Sequence, residues 1–134
     1  NMNKKLYYLF LDDVRVPRQV TWVPLPLVEW TIARNYKEFV DLIESRGLPR
    51  FVTFDHDLAE EHYRPSMYDG DGHYSNYYTD GTFKEKTGYE CAKWLAEYCI
   101  ANHLPYPDYQ IHTMNPIGRK NIQSVIDSFN KYNQ

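Results

Sequence analysis

Apolar positions along the chain follow two rhythms. Short, nearly unbroken apolar runs predict β-strands at residues 6–12, 28–33, 50–55 and 108–113. Between the later runs the spacing changes to three and four. Tyr36, Phe39, Val40 and Ile43 share a helical face behind an Asn35 cap with Glu38 three residues on, and Gly47 and Pro49 close that helix. Thr87 and Glu90 form a capping box opening a helix whose apolar side is Cys91, Trp94, Leu95, Tyr98 and Cys99. Asn115 before Pro116 caps a third helix, which buries Ile122, Val125, Ile126 and Phe129.

Strands alternating with helices imply right-handed crossovers and a mostly parallel sheet. The length of 134 residues suits one α/β domain, expected to span 2–134 because Met2 reads as the natural start. Two stretches break the pattern. Residues 13–27 carry Pro17, Pro24 and Pro26 where a first helix would normally stand. Residues 58–86 lack periodicity, hold several tyrosines with His62 and His73, and leave directly from an acidic strand end. A loop of that length, so placed, reads as a lid inserted over a site, the alternative being a disordered insertion, against which its aromatic content speaks. Within it, Asp69, Gly70, Asp71 and Gly72 have only a superficial likeness to a calcium loop, without its ligand spacing.

Charge narrows the classes. A formal net charge of -3 with no basic stripe excludes a general DNA or RNA binder, while a small nucleotide or an RNA end remains a possible substrate. Cys91 and Cys99 lie eight residues apart on one predicted helix. That is roughly 12 Å, too far for a disulfide. Reduced thiols suit a cytoplasmic protein. No signal pattern and no bilayer-length apolar run is present, so no membrane partner is expected.

The chemistry gathers at strand ends. The first strand closes on Asp12 and Asp13, the third on Asp55, His56 and Asp57. In parallel sheets ligands bind beyond the carboxyl ends of strands. Carboxylates concentrated there repel one another unless a cation or protons intervene. Asp12, Asp13 and Asp55 therefore read as ligands of a hard divalent metal, Mg2+ or Mn2+, facing a phosphate. Adjacent residues point to opposite sides, so one of the first pair binds directly and the other through water or against Arg15. Asp57 reads as base, nucleophile or holder, and His56 as either a packed or a catalytic histidine. His112, closing the fourth strand, is a candidate general acid. The helix start from Asn115 to Arg119 is a candidate anion site, with Gly118 permitting close approach and Arg119 adding charge.

Taken in order, these blocks resemble a family. Residues 11–17 (Leu-Asp-Asp-Val-Arg-Val-Pro), 54–58 (Phe-Asp-His-Asp-Leu), Thr87-Gly88 and 112–121 (His-Thr-Met-Asn-Pro-Ile-Gly-Arg-Lys-Asn) resemble the cyclic-phosphate-processing offshoot of the two-component receiver domain. The resemblance implies a flavodoxin-like three-layer α/β sandwich, cut to about four strands in the order 2-1-3-4. It matches Asp12 and Asp13 to the receiver's metal-binding pair, Asp55 to its phospho-accepting aspartate and Thr113 to its hydroxyl residue. The receiver's fifth strand, with its lysine, has no counterpart, and His56, Asp57, His112 and Asn115 are not receiver features. The activity implied is a metal-dependent phosphoesterase acting on a 2′,3′-cyclic phosphate at an RNA end or on a cyclic nucleotide. His112 or His56 would protonate the leaving oxygen, and Tyr74 or Tyr77 would stack on a base. The alternatives are a non-enzymatic module that binds a nucleotide or protein, and a degenerate phospho-accepting receiver.

Overall fold

The computed structural model describes residues 6–59 and 85–133. The elements run β1 (Tyr8–Leu11), a 3-10 turn (Pro17–Gln19), β2 (Trp30–Ala33), α1 (Tyr36–Arg46), β3 (Phe51–Phe54), α2 (Gly88–Ala101), β4 (Asp108–Ile111) and α3 (Pro116–Tyr132). All strand pairs are parallel, and the order is β2-β1-β3-β4, as the sequence predicts. Each strand is shorter than its apolar run, and Asp12, Asp55 and His112 stand one residue beyond β1, β3 and β4. The predicted lid and its Tyr74 and Tyr77 lie, over residues 60–84, outside the described residues.

The helices start where their caps demand. The Asn35 side chain accepts the Glu38 N–H at 2.9 Å. Glu90 accepts the Thr87 N–H at 2.9 Å. Asn115 accepts from both Ile117 and Gly118 at 3.0 Å. Gly47 ends α1 with φ 88°, a conformation glycine adopts without a side-chain penalty.

Period-two alternation divides the sheet. Leu9, Leu11, Ala33, Val52, Phe54 and Ile111 face the helices and make the core with Phe39, Ile43, Leu95, Ile122, Ile126 and Phe129. The other face carries Tyr8, Phe10, Trp30 and Phe51, whose rings meet edge-on or stacked at 5.8–6.1 Å. Its cover is the proline-rich strap between β1 and β2. Val16, Pro17, Val20, Leu25 and Pro26 form a groove with Trp30 and Ile32, and Gln110 donates to the Pro24 carbonyl at 3.3 Å. A strap with one 3-10 turn thus stands where a helix would complete the third layer. Three prolines, each lacking an N–H, explain why no longer helix forms there.

Candidate functional site

The site follows from register. Leu11 pairs with Phe54, and Phe54 with Ile111. One residue further on, Asp12, Asp55 and His112 therefore form a single row across three adjacent strands, on the strap-covered face. Ladder bonds hold that row. The Asp12 N–H donates to Ala33 at 3.1 Å, the Asp55 N–H to Leu11 at 2.9 Å and the His112 N–H to Phe54 at 2.9 Å. One donor atom from each of these three buried side chains lies within 4.8 Å of the others.

The two carboxylates have opposite surroundings. Asp12 Oδ1 accepts the N–H groups of Val14 at 3.0 Å and Arg15 at 2.8 Å. Its Oδ2 meets His112 Nε2 at 3.0 Å and the Arg15 guanidinium at 3.6 Å. Burial alone would raise its pKa, but the His112 bond and the two N–H groups outweigh burial and hold it below the ordinary value. Asp55 Oδ1 accepts only the His56 N–H among the bonds described, at 2.8 Å. Its buried Oδ2 has no hydrogen-bond partner among the described residues. Burial, with Asp12 and Asp57 nearby, pushes the Asp55 pKa up to about 8. Asp13 lies at the half-buried rim, its Oδ1 without a hydrogen-bond partner among the described residues, and burial followed by repulsion from Asp12 raises its pKa.

His112 is tied at both ends. Nε2 faces the Asp12 carboxylate and Nδ1 lies 2.8 Å from Thr53 Oγ1, with the ring stacked on Phe10 at 4.8 Å. Burial lowers its pKa more than Asp12 raises it, so the ring is neutral at pH 7. A carboxylate only accepts, which assigns the single proton to Nε2 and leaves Nδ1 to accept from the Thr53 hydroxyl. In that tautomer the ring has no lone pair directed into the row. The oxygens of Asp12 and Asp55 remain as donors. A hard cation fits that set, and the unpartnered Asp55 Oδ2 is the atom it would satisfy. His112, expected as a general acid, is buried with both ring nitrogens engaged, one by Asp12 and one by Thr53.

The rest of the expected constellation is a brace. Asn115 Nδ2 donates to Asp57 Oδ1 and Oδ2 at 3.2 and 3.4 Å, and His56 Nδ1 lies 3.2 Å from Asp57 Oδ1. The Thr113 hydroxyl accepts the Asn115 N–H at 3.1 Å, and Arg119 donates to the Ile111 carbonyl. Gly118 differs most from expectation. A Cβ there would sit 2.3 Å from His56 Cγ, so the glycine admits the histidine ring, while its N–H and that of Ile117 are taken by Asn115 rather than aimed at a phosphate.

Several residues that matter escaped the sequence reading, and Gly88 entered it only as part of a helix start. Gly88 lets α2 begin against β3: a Cβ would lie 1.9 Å from the Asp55 carbonyl oxygen, and its N–H donates to His56 at 2.8 Å. Arg34 donates to the carbonyls of Asp12 at 3.1 Å and Arg15 at 2.6 Å, pinning the strap to β2. Trp22 donates its indole N–H to the His112 carbonyl at 2.7 Å, and the Arg15 guanidinium lies 5.2 Å from its ring centroid. The strand pattern held one usable signal, since Thr53 precedes Asp55 by two and must share its face.

Among the described residues no helix is long and apolar enough to cross a membrane. Neither the curated proteins nor the solved structures gave a match to the chain. A family model described as the cyclic-phosphate processing receiver domain matches residues 7–128, from the start of β1 into the last helix. That match covers every block of the acidic row and its brace, and the parallel order β2-β1-β3-β4 agrees with a receiver-like sheet. The chain belongs to the cyclic-phosphate processing receiver domain family.

Proposed function

We propose that the protein is a metal-dependent phosphoesterase acting on a cyclic phosphate, either a 2′,3′-cyclic phosphate at an RNA end or a cyclic nucleotide. The observation that carries this reading is the pairing in one row of an ionised Asp12 with a buried Asp55 whose Oδ2 has no hydrogen-bond partner among the described residues. Such a pair is costly alone and is relieved by a divalent cation. Asp12 and Asp55 would hold Mg2+ or Mn2+, with Asp13 at the rim contacting it through water. A bound cation supplies Lewis-acid polarisation of a phosphoryl oxygen and a more acidic bound water.

The chain's own residues supply position and charge. His112, locked between Thr53 and Asp12, keeps the Asp12 carboxylate aimed and ionised. Arg15, its side chain 29% exposed and 3.6 Å from Asp12 Oδ2, provides positive charge for a phosphoryl oxygen at the mouth of the row. Asp57, Asn115 and Gly118 fix the loop after β3 against α3, which holds Asp55 at its depth. One observation favours a second reading, a module that binds the phosphate without turnover: both ring nitrogens of His112 are engaged and the ring is buried.

The test incubates the protein with Mg2+ or Mn2+ and nucleoside 2′,3′- or 3′,5′-cyclic phosphates and follows the opened monoester. Turnover should need metal and fall at least a hundredfold in Asp55→Asn. Binding of cyclic phosphate without product would select the second reading. Metal-independent turnover, equal in the variant, would refute the metal role of Asp55.

A further inference from the structure

Trp22 differs from the other two tryptophans. Trp30 packs among the sheet aromatics and Trp94 against Phe39 and Tyr98. Trp22 lies in the strap with 36% of its surface exposed, yet it is held at two points. Its N–H is bound to the carbonyl of His112, in the acidic row, by a 2.7 Å bond. Its ring lies 5.2 Å from the guanidinium of Arg15, which reaches to 3.6 Å from Asp12 Oδ2. Arg34 in turn fixes the backbone carbonyls of Arg15 and Asp12. A large aromatic surface is therefore open to solvent, anchored at its polar edge, and one guanidinium away from the carboxylate read as a metal ligand.

A nucleotide has the same order of groups, its base standing one ribose away from its phosphate. Stacking on an exposed aromatic face tolerates any base because each has a π-face. A guanidinium against the same ring adds cation–π attraction. We infer that Trp22 is the base-stacking wall of the site, and that the substrate class is therefore nucleoside phosphates in preference to phosphate esters lacking a base. This rests on the reading of the acidic row as a metal and phosphate site. Trp22 acts on specificity and takes no part in bond making. A purely structural pin for the strap would need the N–H bond alone and would show no preference for a base.

Isothermal titration in Mg2+ with adenosine 5′-monophosphate and ribose 5-phosphate isolates the base, because the two share ribose and phosphate. The wild-type protein should bind the nucleotide roughly ten- to a hundredfold more tightly, the range one stacked base supplies. Trp22→Leu should bring the nucleotide down to the ribose phosphate level and leave ribose phosphate binding unchanged. Trp22→Phe keeps a ring but no indole. It should retain most of the preference and lose the nucleotide-induced quenching of tryptophan emission, a readout that holds even if Trp22→Leu folds poorly. Equal affinities in the wild type, a preference surviving in Trp22→Leu, or quenching that persists in Trp22→Phe would each overturn the inference. If neither compound binds and Mg2+ leaves the melting temperature unchanged, the metal and phosphate reading falls with it. If the preference holds and no cyclic phosphate is opened, the proposed activity fails while the base-stacking role stands.

Discussion

Replacing Asp55 by Asn should stabilise the metal-free protein at neutral pH, and by an amount that grows with pH. The Asp55 pKa is pushed up to about 8 from an ordinary 3.8, by burial first and then by Asp12 and Asp57. Between those values the folded protein binds a proton that the unfolded chain does not, so stability falls as pH rises through this window. The stabilisation from the proton is complete below the unfolded value and gone above the folded one. Each pH unit inside the window is worth about 1.4 kcal/mol, so the ceiling between pH 4 and pH 7 is about 4 kcal/mol. Relaxation and water entry bring an effective figure nearer 2 kcal/mol. For a domain of this size that is about 8 °C in melting temperature. Asn keeps an oxygen for the His56 N–H and removes the charge. Thermal melts of both proteins in chelator from pH 4 to pH 9 should diverge steadily, since titrations common to both cancel in the difference apart from coupling with Asp12. Saturating Mg2+ should raise the wild type and leave the variant in place. Parallel curves, or an Asp55→Asn variant less stable than wild type at pH 8 without metal, would refute the account of Asp55 as a repelled, unsatisfied carboxylate.

Three further outcomes follow from the packing around the row. Gly118→Ala puts a Cβ 2.3 Å from the His56 ring and should lose about 1–3 kcal/mol in urea unfolding. Gly88→Ala should lose more, because its Cβ would meet the Asp55 carbonyl oxygen at 1.9 Å and a backbone atom has no rotamer to escape into; an equal or smaller loss would show that α2 shifts freely. Thr53→Val leaves His112 Nδ1 without its donor, a loss of about 1–3 kcal/mol. Nitrogen-15 spectra of the imidazole should keep the proton on Nε2 in wild type, Thr53→Ser and Thr53→Val alike, because the Asp12 carboxylate holds it there, with the Nδ1 resonance displaced only in Thr53→Val; an unmoved Nδ1 resonance would remove Thr53 as its donor.

The parts of this molecule that were legible in its sequence are those set by local pattern. Asn35, Thr87 and Asn115 mark helix starts because a cap is a contact within three residues. The strand ends at Asp12 and Asp55 are marked because carboxylates interrupt apolar runs. The strand order came with the resemblance, which the family match sustains over residues 7–128. What escaped was long-range. Trp22 meets a carbonyl 90 residues away, and nothing near position 22 announces it. Thr53 reads as an ordinary strand residue until His112 is set beside it. Gly118 was given to a phosphate because any helix N-terminus offers N–H groups, whereas Asn115 takes those groups and His56 occupies the space above the glycine. His112 read as an acid since its solution pKa suits that work, but residue type does not show that both nitrogens are already bonded.

The row itself explains why two aspartates at equivalent strand ends behave differently. Asp12 begins a turn whose N–H groups fold back onto its carboxylate, and β4 delivers His112 to its other oxygen. Asp55 begins a chain that is pressed at once beneath Gly88 and α2, where one N–H reaches it and two other carboxylates stand close. The same strand-end chemistry is thus split by neighbours into an ionised and a protonated acid, a division that makes sites of this kind responsive to a cation or to substrate charge. The split also assigns the strap its purpose in the fold. By covering the sheet face that carries the row, it buries Asp12 and His112, and through Arg15 and Trp22 it brings a cation and an aromatic face to an edge otherwise lined by acids.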